Sequence, residues 1–497
     1  WYYLTVGQLA GYIQDEWKIV PNFKLTYGVR IDKPLYFPSK ASYHSPDGKV
    51  SSPTVLNTDN LTLFDPDGHP VTNGPGKDID NTRMPTGTPL FSPRMGFNWD
   101  VSNDRTVQLR GGTGLFTGRF PFVWLGNAIG NPFSFYYNVT AKNFHWPQIW
   151  RSNLGVDYQL PSKTILTVDI AYTKDVHAMM VRNYGLGTPT GHLGSGTGDT
   201  RDVYQASDKG TTAYVFTNAN TGYSFDMSFQ VQQTFGKGYF LMGSYNYLVA
   251  KDASSISAEI SGDAFDRNPV LGNANIARNT PSLYGNTHRF VLAGVKVFNY
   301  GGGKYATTVS FFSNWTSGNR FSYVYAGDVN NDGSSFNDLI YVPTQAEVGN
   351  MQFQPFIDAQ GVNQDANAQK AALEAFIQQD KYLNGHRGQY TGKYAGVTPW
   401  FSQLDMRVLQ DFRIKAGTSI HTFQLSLDIV NLGNLISSKW GLRKYASATG
   451  YYQPIQYLGQ QGGQALYIFD PSQKSTFTTS PDLPSRWQIQ AGIRYIF

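Results

Sequence analysis

The sequence contains no cysteine. Disulfides, thiolate metal sites and cysteine nucleophiles are thereby excluded. An excess of one charge is also missing. Forty Lys and Arg stand against 35 Asp and Glu, a net +5, with no like-charged block. A nucleic-acid binder would carry a basic patch or arm, so nucleic acid is not expected as a partner. There is no run of the roughly 18 apolar residues that a membrane-crossing helix requires. Catalytic signatures are lacking too. His-Glu-x-x-His and Gly-x-Ser-x-Gly do not occur. The Gly-Lys pairs at 48–49, 76–77, 236–237, 303–304 and 392–393 have no Ser or Thr after them, so there is no P-loop. The chain is not expected to be an enzyme. It opens on Trp1 without a signal peptide, and is expected to begin inside a longer precursor or after processing.

Aromatic residues and glycine are plentiful: 32 Tyr, 32 Phe, 10 Trp and 51 Gly among 497 residues. They fall into a pattern of period two. At the C-terminus Trp487, Ile489, Ala491, Ile493, Tyr495 and Phe497 alternate with Gln488, Gln490, Gly492 and Arg494. Phe23, Leu25, Tyr27, Val29 and Ile31 alternate with polar residues in the same way, as do Phe423, Leu425, Leu427 and Ile429. Such alternation predicts β-strands with one apolar and one polar face. About thirteen are expected, near the ten-residue length of membrane strands: 4–18, 22–32, 90–100, 105–116, 146–159, 163–176, 222–235, 238–250, 288–298, 304–316, 400–414, 419–431 and 486–497.

The connections separate a membrane barrel from a soluble sandwich. Short links at 19–22, 101–104, 160–163, 236–238, 299–303 and 415–418 alternate strictly with long ones at about 33–89, 117–145, 178–221, 251–287, 317–399 and 432–484. Compact soluble domains rarely carry structureless loops beyond ~15 residues. Short periplasmic turns and long extracellular loops are the pattern of an outer-membrane barrel. The expected fold class is therefore all-β, a transmembrane antiparallel β-barrel in the outer membrane of a diderm, Gram-negative-type bacterium. An odd strand number cannot close a bacterial single-chain barrel, so further strands are expected upstream. Trp17, Trp99, Trp146, Trp150, Trp315, Trp400 and Trp487 lie near strand ends, as interfacial girdles would place them. One loop segment, Asn367 to Asp380, is rich in helix formers and lacks Gly and Pro. It predicts a short rim helix with Ala371, Leu373, Phe376 and Ile377 on its apolar stripe.

One motif carries chemistry of its own. Asp328, Asn330 and Asp332 place oxygens at positions 1, 3 and 5, Gly333 permits a sharp turn, and Ser334 can offer a carbonyl. This is the opening of a calcium loop. Its end departs from the EF-hand pattern: Leu339 holds position 12 and Asp338 stands one place early. The candidate ligands for Ca²⁺ are Asp328, Asn330, Asp332, Ser334 and Asp338. The alternative is an Asx-rich turn capped by its own side chains. Aromatic residues at Phe133 to Tyr137 and at Tyr451 and Tyr452 are candidates for ligand contact or for packing between loops.

Gly11 to Asp32 resembles a barrel hairpin of TonB-dependent outer-membrane receptors. Gly327 to Pro343 and Leu373 to Tyr390, with the following Pro399-Trp-Phe-Ser-Gln-Leu-Asp-Met-Arg-Val-Leu-Gln-Asp-Phe-Arg-Ile414, resemble the large Oar-like branch, whose members are similar to SusC-type receptors. The resemblance runs from Gly11 to Phe497, weakly in the loops. It implies a 22-stranded barrel around a plug, usually preceded by a carboxypeptidase-regulatory-like domain and driven by TonB. The whole of 1–497 would be the C-terminal barrel portion, without plug or regulatory-like domain. The implied function is transport of a large or scarce solute, with an unknown extracellular ligand bound by the loops. A cell-surface anchor whose loops hold proteins or glycans is the alternative. The resemblance further implies that Tyr495 and Phe497 form a C-terminal signal read by the barrel insertion machinery. It also implies that Asp169, Asp226, Asp405, Arg407, Asp428 and Arg494 line the lumen toward the plug, or simply solvate a wet interior. His386 and Arg387 match a family loop motif and read as structural.

Overall fold

A computed structural model describes residues 2–497 apart from 4, 38–39, 42, 45–49, 52–62, 73–76, 80–83, 130–136, 205–212, 237, 257, 259 and 448. Thirteen long strands follow one another in a single antiparallel meander. They are β1 (Val6–Val20), β2 (Phe23–Tyr36), β3 (Leu90–Asp100), β4 (Val107–Thr117), β5 (Gln148–Gln159), β6 (Ile165–Asn183) and β7 (Gly222–Phe235). They continue as β8 (Tyr239–Asp252), β9 (His288–Tyr300), β10 (Tyr305–Thr316), β11 (Phe401–Ala416), β12 (Ser419–Val430) and β13 (Gln488–Ile496). All thirteen expected strands are present, each pairing with its sequence neighbours. The chief difference in extent is β6, which runs on to Asn183 because its outer end pairs with Ala213–Ala219 of its own loop.

The register turns the alternation of each strand into rows across the sheet. Leu154, Ile170, Met227 and Tyr247 are successive partners on β5 to β8. One residue along, Gly155, Asp169, Ser228, Asn246 and Arg289 form the adjoining row. Neighbouring rows point to opposite faces, so one face is mainly apolar and the other mainly polar, with Val291, Ala293 and Val295 of β9 interrupting the polar one. The apolar face is left exposed: Leu9, Ile13, Leu154, Ile170, Leu292 and Ile493 all stand open. A continuous exposed apolar surface of this size is expected to meet lipid. Trp17 and Trp99 lie exposed near the short turns, while Trp150, Trp315, Trp400 and Trp487 lie exposed near the long loops. Trp146 departs from the girdle expectation. It is 1% exposed, packs with Phe120 and Phe144, and donates its Nε1–H to the Tyr36 hydroxyl at 2.8 Å.

Short turns close the opposite edge. Gly417 between β11 and β12 adopts φ 63°, and Gly301 to Gly303 between β9 and β10 all have positive φ. A Cβ is strained in that region, which accounts for glycine at these reversals.

Most of the buried core lies in the loops, not in the strands. Segments following β6, β10 and β12 share one cluster, in which Leu193, Tyr323, Val342, Leu373, Tyr467 and Phe469 are buried together. Two-residue parallel pairings, Ser322–Tyr323 with Tyr451–Tyr452 and Gln352–Phe353 with Leu466–Tyr467, tie them. The rim helix spans Ala366–Gln379, capped by Asp365, whose carboxylate accepts the Ala368 N–H at 2.8 Å. Leu373, Phe376 and Ile377 are buried as expected, but Ala371 is exposed and Gln369 takes its place. Positions 369, 373, 376 and 377 keep helical spacing. The Gln369 amide is buried because it is fully bonded, to the carbonyls of Gln354 and Gln364 and to the Phe469 N–H.

Candidate functional site

Two regions gather chemistry: the loop at residues 327–338, inside the cap that the packed long loops form, and the polar face of the sheet. In the loop, Asp328 Oδ1 accepts the Asp332 N–H at 3.0 Å, and Oδ2 accepts the Gly333 N–H at 2.8 Å. Asn330 Oδ1 also accepts from Asp332 N at 2.9 Å, and Asp332 Oδ1 from Ser334 N at 3.0 Å. Asn331 and Gly333 take positive φ, which folds the chain back on itself. Four of the five sequence candidates, Asp328, Asn330, Asp332 and Ser334, are thus wound into one tight turn. Asp338 joins it differently. Its Oδ2 accepts the N–H groups of Val329 and Asn330, at 2.7 and 3.2 Å, and its Oδ1 accepts from Arg201 at 3.0 Å.

This charge is deeply buried. Asn330, Asp332, Ser334, Asn337 and Asp338 are each at most 2% exposed. Burial, and then the nearby Asp338 carboxylate, pushes Asp328 up to about 6. Burial, followed by the charges of Asp338 and Asp328, holds Asp332 well above the ordinary carboxylate range. Burial also raises Asp338, against the lowering pull of Arg201. Arg201 was not anticipated from sequence. Burial alone would lower its guanidinium, but Asp199 and Asp338 outweigh burial and keep it charged. It bonds Asp199 through Nε and Nη2 and lies over the rings of Tyr325 and Tyr390. The only signal available was an Asp-Thr-Arg run, which is too common to single out.

On the polar face, arginines and aspartates form ladders across strands. Arg110 bonds Asp157 and also Asp169, the latter at 2.7 Å. Gly155 lies between them, and a Cβ there would collide with Asp169 and Arg110. Asp226 accepts from Asn246 at 2.9 Å, Asp405 from Gln403 at 2.9 Å and from the Asn431 N–H at 2.8 Å. Arg407 pairs with Asp428. Arg494 stands opposite Gln424 in register. Arg30 and Gln8 add a further pairing to the buried Asp32.

The remaining candidates separate. Tyr495 stacks on Phe497 and packs at a tilt against Phe423, with centroids 5.6 and 4.9 Å apart, and its hydroxyl meets His421 Nδ1 at 2.6 Å. Phe497 is 88% exposed. His386 stacks on Tyr382 at 4.2 Å, and Arg387 forms a two-pronged pair with Glu374. Both hold the cap together. Tyr452 packs into the cap core and Tyr451 against Phe336. The aromatic run at 133–137 lies outside the described residues, apart from the backbone of Tyr137. One cluster was overlooked: Asp65, Asp67 and His69, on the hairpin joining Leu63–Phe64 to Pro70–Val71, bring their ligand atoms within 4.8 Å of one another.

The chain matches the family described as outer membrane beta barrel domain over residues 2–140 and 120–439. No curated protein matches it. Among solved structures it is similar to the FrpB iron transporter from Neisseria meningitidis, with 10% identity, 87% of this chain and 42% of that one covered, and a TM-score of 0.40. It is also similar to the siderophore receptor PiuA from Acinetobacter baumannii, with 9% identity, 99% and 44% covered, and a TM-score of 0.41. The outer membrane transporter YddB from Escherichia coli has 10% identity, 86% and 50% covered, and a TM-score of 0.39. The chain spans half or less of the length of each.

Proposed function

Since this chain belongs to the outer membrane beta barrel domain family, and so to the outer membrane of a Gram-negative bacterium, we propose that it is the C-terminal barrel portion of a TonB-dependent, Oar-like transporter. The observation that carries this reading is the polar face. Polar rows cross the sheet in two stretches: Arg110, Gly155, Asp169, Ser228, Asn246 and Arg289 from β4 to β9, and Ser310, Arg407, Asp428 and Gln490 from β10 to β13. A wide barrel with such an interior encloses a wet lumen rather than a packed core. The loops would bind a large or scarce solute outside, and a plug engaged by TonB would open the path. The Arg110–Asp157–Asp169 and Arg407–Asp428 ladders would then present fixed charges of both signs to the plug.

The folded cap supports a second reading, that of a surface anchor. Loops with a buried core of their own are suited to holding a protein or glycan partner. Intact mass and N-terminal sequencing of the protein from outer membranes separate the two. Transport requires a mature polypeptide about twice as long as this chain, with a plug upstream that crosslinks to TonB. A mature polypeptide of this chain alone, with no companion fragment, would overturn transport and leave the anchor.

A further inference from the structure

The segment at 327–338 is where four extracellular loops meet. From the loop after β6, Arg201 bonds Asp338, and the Tyr204 N–H donates to the Asn330 carbonyl at 2.8 Å. From the loop after β8, the Val270 N–H donates to the Asn337 carbonyl at 2.8 Å, and the Asp266 carbonyl accepts from Ser334 Oγ at 3.1 Å. From the loop after β12, Gln453 Nε2 donates to the Ser335 carbonyl at 2.9 Å. The segment itself belongs to the loop after β10.

This junction holds an imbalance of charge. Asp328, Asp332 and Asp338 lie around one turn, and the one guanidinium paired with them among the described residues, Arg201, is shared with Asp199. Buried charges persist where they are paired or coordinated. A separate observation points to what completes the pairing. Asn337 is fully buried, and its Nδ2 touches Asp332 Oδ2 at 2.9 Å, so the carboxamide is directed into the cluster. Among the described residues its Oδ1 has no hydrogen-bond partner. The two ends of a carboxamide exchange by a half-turn. The exchanged amide would set Oδ1 against Asp332 Oδ2, two oxygens at a spacing that is repulsive alone and suited to two ligands of one cation.

We propose that the turn at 328–337 binds one calcium ion, which locks the four loops into the cap. Asp328, Asn330, Asp332 and Asn337 supply side-chain oxygens, and Ser334 supplies its backbone carbonyl. Asp338 braces the turn through the N–H groups of Val329 and Asn330. A mixed set of carboxylate, amide and carbonyl oxygens suits the flexible coordination of Ca²⁺, whereas Mg²⁺ demands near-octahedral geometry and keeps its waters. The exposed Asp65, Asp67 and His69 group serves as the internal control. The site does not depend on what the barrel transports.

The test uses the full-length protein, extracted from outer membranes in detergent and stripped with EDTA. Calorimetric titration with calcium chloride should show one site, in the 10⁻⁴–10⁻³ M range typical of extracellular calcium modules. Magnesium chloride should bind at least tenfold more weakly. Asp332→Asn keeps an acceptor for the Ser334 N–H, so it should fold, and it should lose calcium affinity at least tenfold. Asp65→Asn should bind as wild type does. Thermal melts supply a second readout. In EDTA, Asp332→Asn should be at least as stable as wild type, because one repelling charge is gone. In calcium the order should reverse, and hydrogen exchange should slow at 199–204 and 266–270 in wild type only. The proposal is overturned if wild type binds no calcium at millimolar concentrations, if Asp332→Asn binds unchanged, or if Asp65→Asn abolishes binding.

Discussion

Lys393 is a buried cation of the cap. It is 7% exposed, and its ammonium donates to the Ala253 carbonyl at 3.0 Å and to Asn268 Oδ1 at 2.6 Å. Burial lowers it from 10.5 to about 8, with Asp252 pulling weakly the other way. Between those two values the folded protein holds fewer protons than the unfolded chain. Stability therefore rises with pH across that window, and below about 8 the full cost of burying the cation is present. The gain amounts to at most about 3 kcal/mol. Denaturant unfolding of the cap in buffers on either side of the window should register it, and Lys393→Met should flatten the difference. An equal rise in Lys393→Met would assign the effect to other groups. Single residues of this kind were poorly legible in the sequence. The opening of the calcium loop stood out because Asp328, Asn330, Asp332 and Gly333 fall at fixed spacing within six positions. Lys393 did not, because its partner Asn268 lies far away in sequence, and Arg201 did not, because beyond the nearby Asp199 its other carboxylate, Asp338, is distant.

Secondary-structure elements were far more legible, and for a physical reason. A strand between lipid and water must alternate at every residue, since the energetic gap between the two faces is large. All thirteen strands therefore announced themselves, and the tight turns between them carried glycine or proline except at 101–106, where Asn103 and Arg105 take positive φ instead. The rim helix was legible in extent but not in detail. Its apolar stripe was read from hydropathy alone, which favoured Ala371 over Gln369, whereas burial of Gln369 depends on three hydrogen bonds from other segments. The folding of the long loops into a cap was not legible, because its core is assembled from pieces more than ninety residues apart, such as Leu193, Leu373 and Phe469. If that cap stands on packing more than on local propensity, Leu373→Ala should cost roughly 2–5 kcal/mol. Asp365→Ala, which removes only the helix cap, should cost about 1 kcal/mol. Proteolytic susceptibility of residues 345–400 measures both, and equal effects would contradict the packing account.

At the scale of the whole molecule, the membrane assignment turns on which face of the sheet meets lipid. Ile170 on β6 and Ser228 on β7 are near neighbours in the sheet but face opposite ways. Ile170 lies in the apolar row between Leu154 and Met227, near the middle of its strand. Ser228 lies in the polar row between Asp169 and Asn246. In an outer-membrane barrel a lysine on the lipid face near mid-depth costs roughly 2–4 kcal/mol, whereas a lumen substitution is tolerated. Ile170→Lys should therefore lower stability by about that amount in urea titrations of protein refolded into phosphatidylcholine vesicles. Ser228→Lys should change it little, since the new ammonium faces Asp169 across the strand pair. A soluble sheet with its apolar face packed inside would also penalise Ile170→Lys, but it would not require lipid to fold. Refolding in buffer without vesicles or detergent separates the two. Recovery of the native fold there would overturn the membrane assignment of the apolar rows, and a cost at Ser228 in place of Ile170 would turn the wall inside out.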